Sequence, residues 1–348
     1  PPRSTLFPYT TLFRSPLSVS AAAPSAPPVL PPEVVLRLDT AAQLRNRGDA
    51  TSVVLADLID FHRREEKPMW WRMFDRAKAT PEELRDDPGC IEGVQAVGLP
   101  TPQKQSFLQQ YRFDPMQECK LAAGDRSKVM FTHNLEAKLT LSELDAALGN
   151  LELKIGKKGL DEKFKGAFPP QGSLIPDEYV SAAAIQAALT EVAAKNLAGN
   201  LDAAVVALLN RVPPATTLQE PGESATDAAI RVTGGMSGGC LVVQGPPGTG
   251  KTYTASRVIT ALLAAGKKVG VASNSHKAVV NLLLACGDAA QQSGRSLQGI
   301  KVGGEAEGPL FSGNPGLRHV EKTTDAHGAY WGGVVGGTAW LFTLPEWE

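Results

Sequence analysis

The residues Gly245-Pro246-Pro247-Gly248-Thr249-Gly250-Lys251-Thr252 combine types and spacing that could do chemistry. They fit the pattern G-x-x-x-x-G-K-[ST] without a mismatch, and the chemistry of that pattern is the holding of a nucleoside triphosphate. Gly245, Gly248 and Gly250 permit backbone torsions that a Cβ would forbid, so successive N–H groups can converge on phosphate oxygens. The helix that follows adds the positive end of its dipole at the same place. The Lys251 ammonium would then meet the β- and γ-phosphates of ATP, and the Thr252 hydroxyl would ligate Mg²⁺. A bare glycine-rich turn would account for the glycines but would need neither the lysine nor the threonine.

Such a loop works only between a strand and a helix. The apolar run Leu241-Val242-Val243 predicts a buried strand, Cys240–Gln244, entering the loop, and Thr252 to Ala265 has helical periodicity up to Gly266. Lys268 to Ser273 predicts a second buried strand and Lys277 to Ala285 a second helix, with weaker strands at Ile300–Val302 and Val334–Gly336. Strand–helix–strand alternation implies a parallel sheet with right-handed crossovers. This α/β domain is expected over residues 231–348.

Upstream the pattern changes several times. Residues 1–15, PPRSTLFPYTTLFRS, look foreign: RSTLF and TTLFRS nearly repeat each other, as in translated adapter sequence. Residues 16–50 read as a Pro/Ala-rich linker with structure starting near Leu36. Residues 51–89 read as helical, with a helix start at Thr80-Pro81-Glu82-Glu83 and a capping box between Thr80 and Glu83. The charge run His62 to Lys67 reads as a solvated helix end, and Trp70 and Trp71 as core anchors. Residues 90–178 hold short alternating segments, such as Tyr111-Arg112-Phe113, Val129-Met130-Phe131 and Leu151 to Ile155, split by turns at Gly124-Asp125 and Gly149-Asn150. They predict a small β-rich, barrel-like domain. Residues 179–230 form a helical stalk and linker, alanine-rich between Ser181 and Asn210 with a break at Gly199-Asn200.

The chain of 348 residues carries Lys+Arg 35 against Asp+Glu 36, a formal net charge of −1, so no global field marks a polyanionic partner. A local basic strip would suffice for nucleic acid. Cys90, Cys119, Cys240 and Cys286 form no CxxC pair and read as thiols of a reducing cytoplasm, not as a zinc site or a disulfide framework. No apolar run is long enough to span a bilayer, and no obligate protein partner is evident.

GPPGTGKT is shared by several NTPase classes, and later residues discriminate among them. Three stretches, QGPPGTGKT (244–252), VGVASNSHKAVVNLL (270–284) and GGTAW (336–340), resemble the superfamily 1 helicases, in the branch of the RNA-surveillance helicase and nuclease–helicase fusions. The resemblance implies a P-loop NTPase fold of the RecA-like kind, ATP and Mg²⁺ as cofactors, and single-stranded nucleic acid as partner, DNA ahead of RNA. The second stretch matches motif Ia, which touches the nucleic-acid backbone and points to Ser275, His276 and Lys277. The third matches the Gly-Thr segment that also faces nucleic acid, pointing to Thr338. Residues 55–71, LADLIDFHRREEKPMWW, look like the segment after the nuclease domain in bacterial RecB-like nuclease–helicase fusions, although no nuclease site is found in residues 33–90.

Physical chemistry supports the backbone role independently. A hydroxyl or imidazole at a strand's carboxyl end can hold a phosphate without reading sequence. Ser275 as a simple N-cap of the next helix is an equally good reading, and the two roles are compatible.

The family also requires a Walker B Asp-Glu and arginines from a second RecA-like domain, and neither is present, so no catalytic residue is assigned. Gln219 is a poor match to the family's adenine-reading glutamine. The expectation is an incomplete parallel sheet, the N-terminal part of a motor cut before motif II, with little nucleotide binding and no unwinding. Uncovered sheet edges should make it prone to aggregation. Two other readings stay open. One is an AAA+ or other P-loop ATPase. The second is a nucleic-acid-binding module with a vestigial nucleotide site, using Tyr111, Arg112, Phe113, Lys154, Lys157 and Lys158.

Overall fold

A computed structural model describes residues 30–306 and 308–347. The adapter-like segment 1–15, and the part of the 16–50 linker before residue 30, lie outside the described residues. The helices are α1 (Pro32–Arg47), α2 (Ala50–Ile59), α3 (Phe61–Lys78), α4 (Pro81–Asp86), α5 (Lys157–Phe164), α6 (Ala183–Leu197), α7 (Ala203–Leu209), α8 (Ala225–Gly235), α9 (Lys251–Ala264), α10 (His276–Gln292), α11 (Gly308–Gly313) and α12 (Ala326–Ala329). The strands are β1 (Ile91–Gln103), β2 (Ser106–Arg112), β3 (Lys128–Phe131), β4 (Asn134–Asp145), β5 (Asn150–Gly156), β6 (Gln171–Pro176), β7 (Val269–Ala272), β8 (Gly299–Val302), β9 (Leu317–Val320) and β10 (Val334–Gly337). The described residues divide into two compact units: residues 61–181 with the few before Leu36, and residues 36–60 with 182–347.

In the first unit, β1 to β6 close into an antiparallel barrel in the order β1-β2-β5-β4-β3-β6. Alternation drives it: Leu151, Leu153 and Ile155 of β5 point inward to meet Val129, Phe131, Leu139, Leu141 and Leu174. Closure leaves no unpaired ladder. Gly149 turns β4 into β5 at φ +65, where a Cβ would stand 2.3 Å from the Phe113 carbonyl oxygen. Ahead of the barrel, Thr80 and Glu83 form the reciprocal capping box of α4, each side chain accepting from the other's backbone N–H. The charge run 62–67 begins α3 instead of ending a helix, and Glu66 is buried, its carboxylate accepting from the Tyr179 hydroxyl at 3.4 Å. Trp70 packs on Tyr179 and Phe74, as a core anchor should, whereas Trp71 is 64% exposed and anchors nothing.

In the second unit the linker expectation for residues 16–50 needs correction, because 32–47 are helical. Ala41 and Leu44 lie one turn apart on a face that packs on Leu55, Ala56 and Ile59 of α2 and Ala193 of α6. Prolines and alanines upstream had masked that stripe. Asp49 caps α2 by accepting from Ser52 N–H, and Asn196 donates to the Ser52 hydroxyl at 2.8 Å within the buried seam.

The remainder of this unit is a parallel sheet in the order β7-β10-β8-β9, with α10 laid across it. Val279 and Leu283 of α10 press on Gly336 of β10, and Cys286, Leu297, Leu317 and Val334 complete the core. Three expectations change. The boundary at 231 cuts through α8, which Ser224 caps. The strand at Lys268–Ser273 is an edge strand with Val271 alone buried. The strand at 240–244 does not form, and Val242 and Val243 are 76% and 54% exposed. A strand exists by pairing, and both sides of β10 are taken by β7 and β8. The apolar run pairs with none of these strands, and the outer edges of β7 and β9 stay without it.

Candidate phosphate and nucleic-acid site

The loop itself takes the shape its glycines predict. Gly248 and Gly250 stand at φ +83 and +82, values open to glycine and strained for most residues. A Cβ on Gly245 would lie 2.5 Å from the Thr249 hydroxyl oxygen, so the chain folds over a cradle that a side chain would fill. The Thr249 hydroxyl donates to the Pro246 carbonyl at 2.9 Å and ties the turn. Gly250 precedes α9 and offers no capping side chain, which leaves the first helical N–H groups to a ligand or water. The Lys251 ammonium donates to the carbonyls of Gly245 and Pro246, each at 2.6 Å. Thr252 is exposed at the first turn. These groups fit a phosphate chain and a hard cation. What does not match the expected arrangement is the unpaired approach, residues 240–244.

The other candidates assemble at the carboxyl ends of neighbouring strands. Gly337 of β10 pairs with Ala272 of β7, and the Gly337 carbonyl accepts from Ser273 N–H at 3.3 Å. Thr338, next along from Gly337, and Ser275, at the N-cap of α10, are thereby brought to one rim. Ser275 holds the N-cap position, but its hydroxyl caps nothing. Lys277 is exposed, and His276 is half-buried. The helix that follows the phosphate-type loop, α9, packs on α10 and leads back into the start of β7.

Several residues that sequence reasoning did not single out belong here. Lys301 of β8 is wholly buried and donates to the carbonyls of Gly303 and Glu305. A lysine between Ile300 and Val302 in an apolar strand was the available signal. Just past the loop, the Arg257 guanidinium lies 3.3 Å from the ring centroid of Tyr253. From within α8, Arg231 binds Glu223 of the preceding loop through two hydrogen bonds, 2.8 and 2.7 Å, and with the Glu220 N–H holds that carboxyl down at about 2.

Two aromatic candidates are closed off. Tyr111 and Phe113 face the barrel interior, and the Tyr111 hydroxyl donates to the Pro169 carbonyl at 2.8 Å, so neither ring can stack a base. Lys157 and Lys158 start α5. Gln219 donates to the Glu223 carbonyl in its own loop. Cys90 and Cys286 are buried, and burial pushes both thiols up to about 12. No cluster of metal-ligating side chains occurs among the described residues, and none of their helices is long and apolar enough to cross a membrane.

Residues 221–325 match the family model described as an AAA domain, a domain of the superfamily 1 helicase-like group. The matched stretch runs from the loop before α8 through the glycine-rich turn, β7, α10, β8 and β9. The barrel lies outside it. No match to the chain was found among curated proteins. The match suggests a helicase-like P-loop NTPase for this stretch.

Proposed function

We propose that this chain carries the nucleotide- and strand-binding part of an ATP-dependent helicase or translocase of the superfamily 1 type. In this reading Gly245, Pro246, Pro247, Gly248, Thr249 and Gly250 cradle the phosphates of ATP. Lys251 neutralises them, and Thr252 ligates Mg²⁺. Ser275, His276, Lys277 and Thr338 hold the backbone of single-stranded nucleic acid, DNA ahead of RNA, without reading its bases. A bacterial nuclease–helicase fusion in the cytoplasm is the setting we infer from residues 55–71 and the separated thiols. The observation that carries the reading is the glycine cradle opening directly into an uncapped helix, inside a stretch that matches an AAA domain.

Hydrolysis needs an acidic pair on a strand end, and no Asp-Glu pair follows the loop in this sequence. The expected behaviour is therefore weak, magnesium-dependent ATP binding without turnover. Titration of a fluorescent ATP analogue, with magnesium and with EDTA, tests this on the full chain and on Lys251→Ala. The variant should bind about tenfold or more weakly, the loss of a charge-assisted contact to phosphate. A non-hydrolysable analogue should also change the affinity for an oligothymidylate in the parent chain but not in the variant. Nucleotide binding that ignores magnesium, or that Lys251→Ala leaves intact, would overturn the reading.

A further inference from the structure

We propose that Gly303, Gly304 and Lys301 are positioning residues that seat the His276 side chain at the rim of the sheet. The proposal rests on the reading of His276 as a nucleic-acid contact and adds what holds it in place.

Gly303 and Gly304 follow β8 at φ +71 and +63, a backbone path that bulky residues resist. The imidazole lies against both of them. A Cβ on Gly303 would stand 3.0 Å from His276 Cε1, and one on Gly304 would stand 2.8 Å from Cγ and 3.1 Å from Cδ2. The ring is thus in contact with bare backbone along its length, an approach that any side chain at Gly304 would block.

The turn is in turn gripped from beneath. Lys301 Nζ donates to the carbonyls of Gly303 and Glu305, at 2.6 Å each, so one ammonium spans the turn. A buried ammonium is tolerated where carbonyls satisfy it, and its position here couples the strand to the turn. His319 of β9 places its Nε2 3.3 Å from the same Gly303 carbonyl, and Gly303 N–H donates to Val320 at 2.8 Å. Lys301 is fully buried and touches no solvent, so it acts through the turn and not on a strand of nucleic acid directly. The turn fixes a ring that has two free torsions, and holding a ring in one place lowers the ordering cost of each phosphate contact.

The test uses the full chain and a fluorescein-labelled oligothymidylate, followed by anisotropy. Gly304→Ala should weaken binding about tenfold, the size of one misplaced contact to phosphate. Gly294→Ala is the control, since Gly294 shares the strained torsion, φ +67, but has nothing within 4 Å of a Cβ. It should bind as the parent does. His276→Ala should weaken binding, and the double variant His276→Ala/Gly304→Ala should be no weaker than His276→Ala alone, because the glycine acts only through the ring. Should Gly304→Ala fail to fold, Gly304→Asn carries the same collision with a residue that accepts this torsion. Fluorescent ATP analogue binding should be equal across the set. Parent-like binding by both Gly304 variants, or losses that multiply in the double variant, would overturn the proposal while leaving the nucleic-acid reading intact. Parent-like binding by His276→Ala would overturn both.

Discussion

The contact of β10 with α10 fixes Thr338 relative to His276, and it can be measured. Gly336 sits under the helix, where an added Cβ would meet Val279 Cγ1 at 2.8 Å and Leu283 Cδ1 at 2.9 Å. Both neighbours are wholly buried, so neither can swing into solvent. Gly336→Ala therefore overpacks the seam at a cost of ~1–3 kcal/mol, against a gain of ~0.5–1 kcal/mol from a less flexible unfolded chain. Leu283→Ala alone opens a cavity and should cost ~2–5 kcal/mol. In the double variant the new methyl enters the space the leucine left, and ~1–2 kcal/mol of the summed loss should return as coupling. Urea titration read by hydrogen exchange at the α10 amides isolates this unit, since a whole-chain signal would mix two units. Additive losses, or a Gly336→Ala variant as stable as the parent, would refute the packing argument.

Other outcomes follow from individual contacts. Tyr111→Phe removes the donor to the half-buried Pro169 carbonyl and should destabilise the barrel by ~1 kcal/mol in urea melts; an unchanged midpoint would show that the bond contributes nothing. The Glu223 carboxyl, held by Arg231 and the Glu220 N–H, sits below its unfolded value, so its contribution is present above 4.5 and is lost as pH falls toward about 2. Amide signals of the loop before α8 should stay ordered through that window, and their release already above 4.5 would contradict the assignment. With a thiol-labelling reagent, Cys240 in the unpaired approach to the loop should react before Cys90 and Cys286, whose thiols burial pushes up to about 12. Mass spectrometry finding Cys286 labelled first would sink this ordering.

What was legible in the sequence was local. Gly248, Gly250 and Lys251 fix their own loop through torsions and reach, which neighbours in sequence determine. The capping box at Thr80 and the helix of His276 are similarly self-contained, although α10 extends to Gln292, further than the periodicity around Leu283 to Ala285 indicates. What failed was pairing. Leu241-Val242-Val243 has the composition of a strand, but a strand is completed by a partner that no window of residues reveals. Tyr111 and Phe113 likewise alternate as a base-stacking face would, and closure of the barrel turned them inward. Lys301 was hidden for the opposite reason: its neighbours are apolar, and the carbonyls that satisfy it come from the turn after it.

Lys251 does more than supply a charge. Its amine already fastens the turn from Gly245 to Pro246. Any substitution there unbuckles the turn as well as discharging it, so a weakened variant reports two losses under one name. The partition between them is open to a lysine analogue of equal charge and shorter reach, which would keep the cation and drop the clasp.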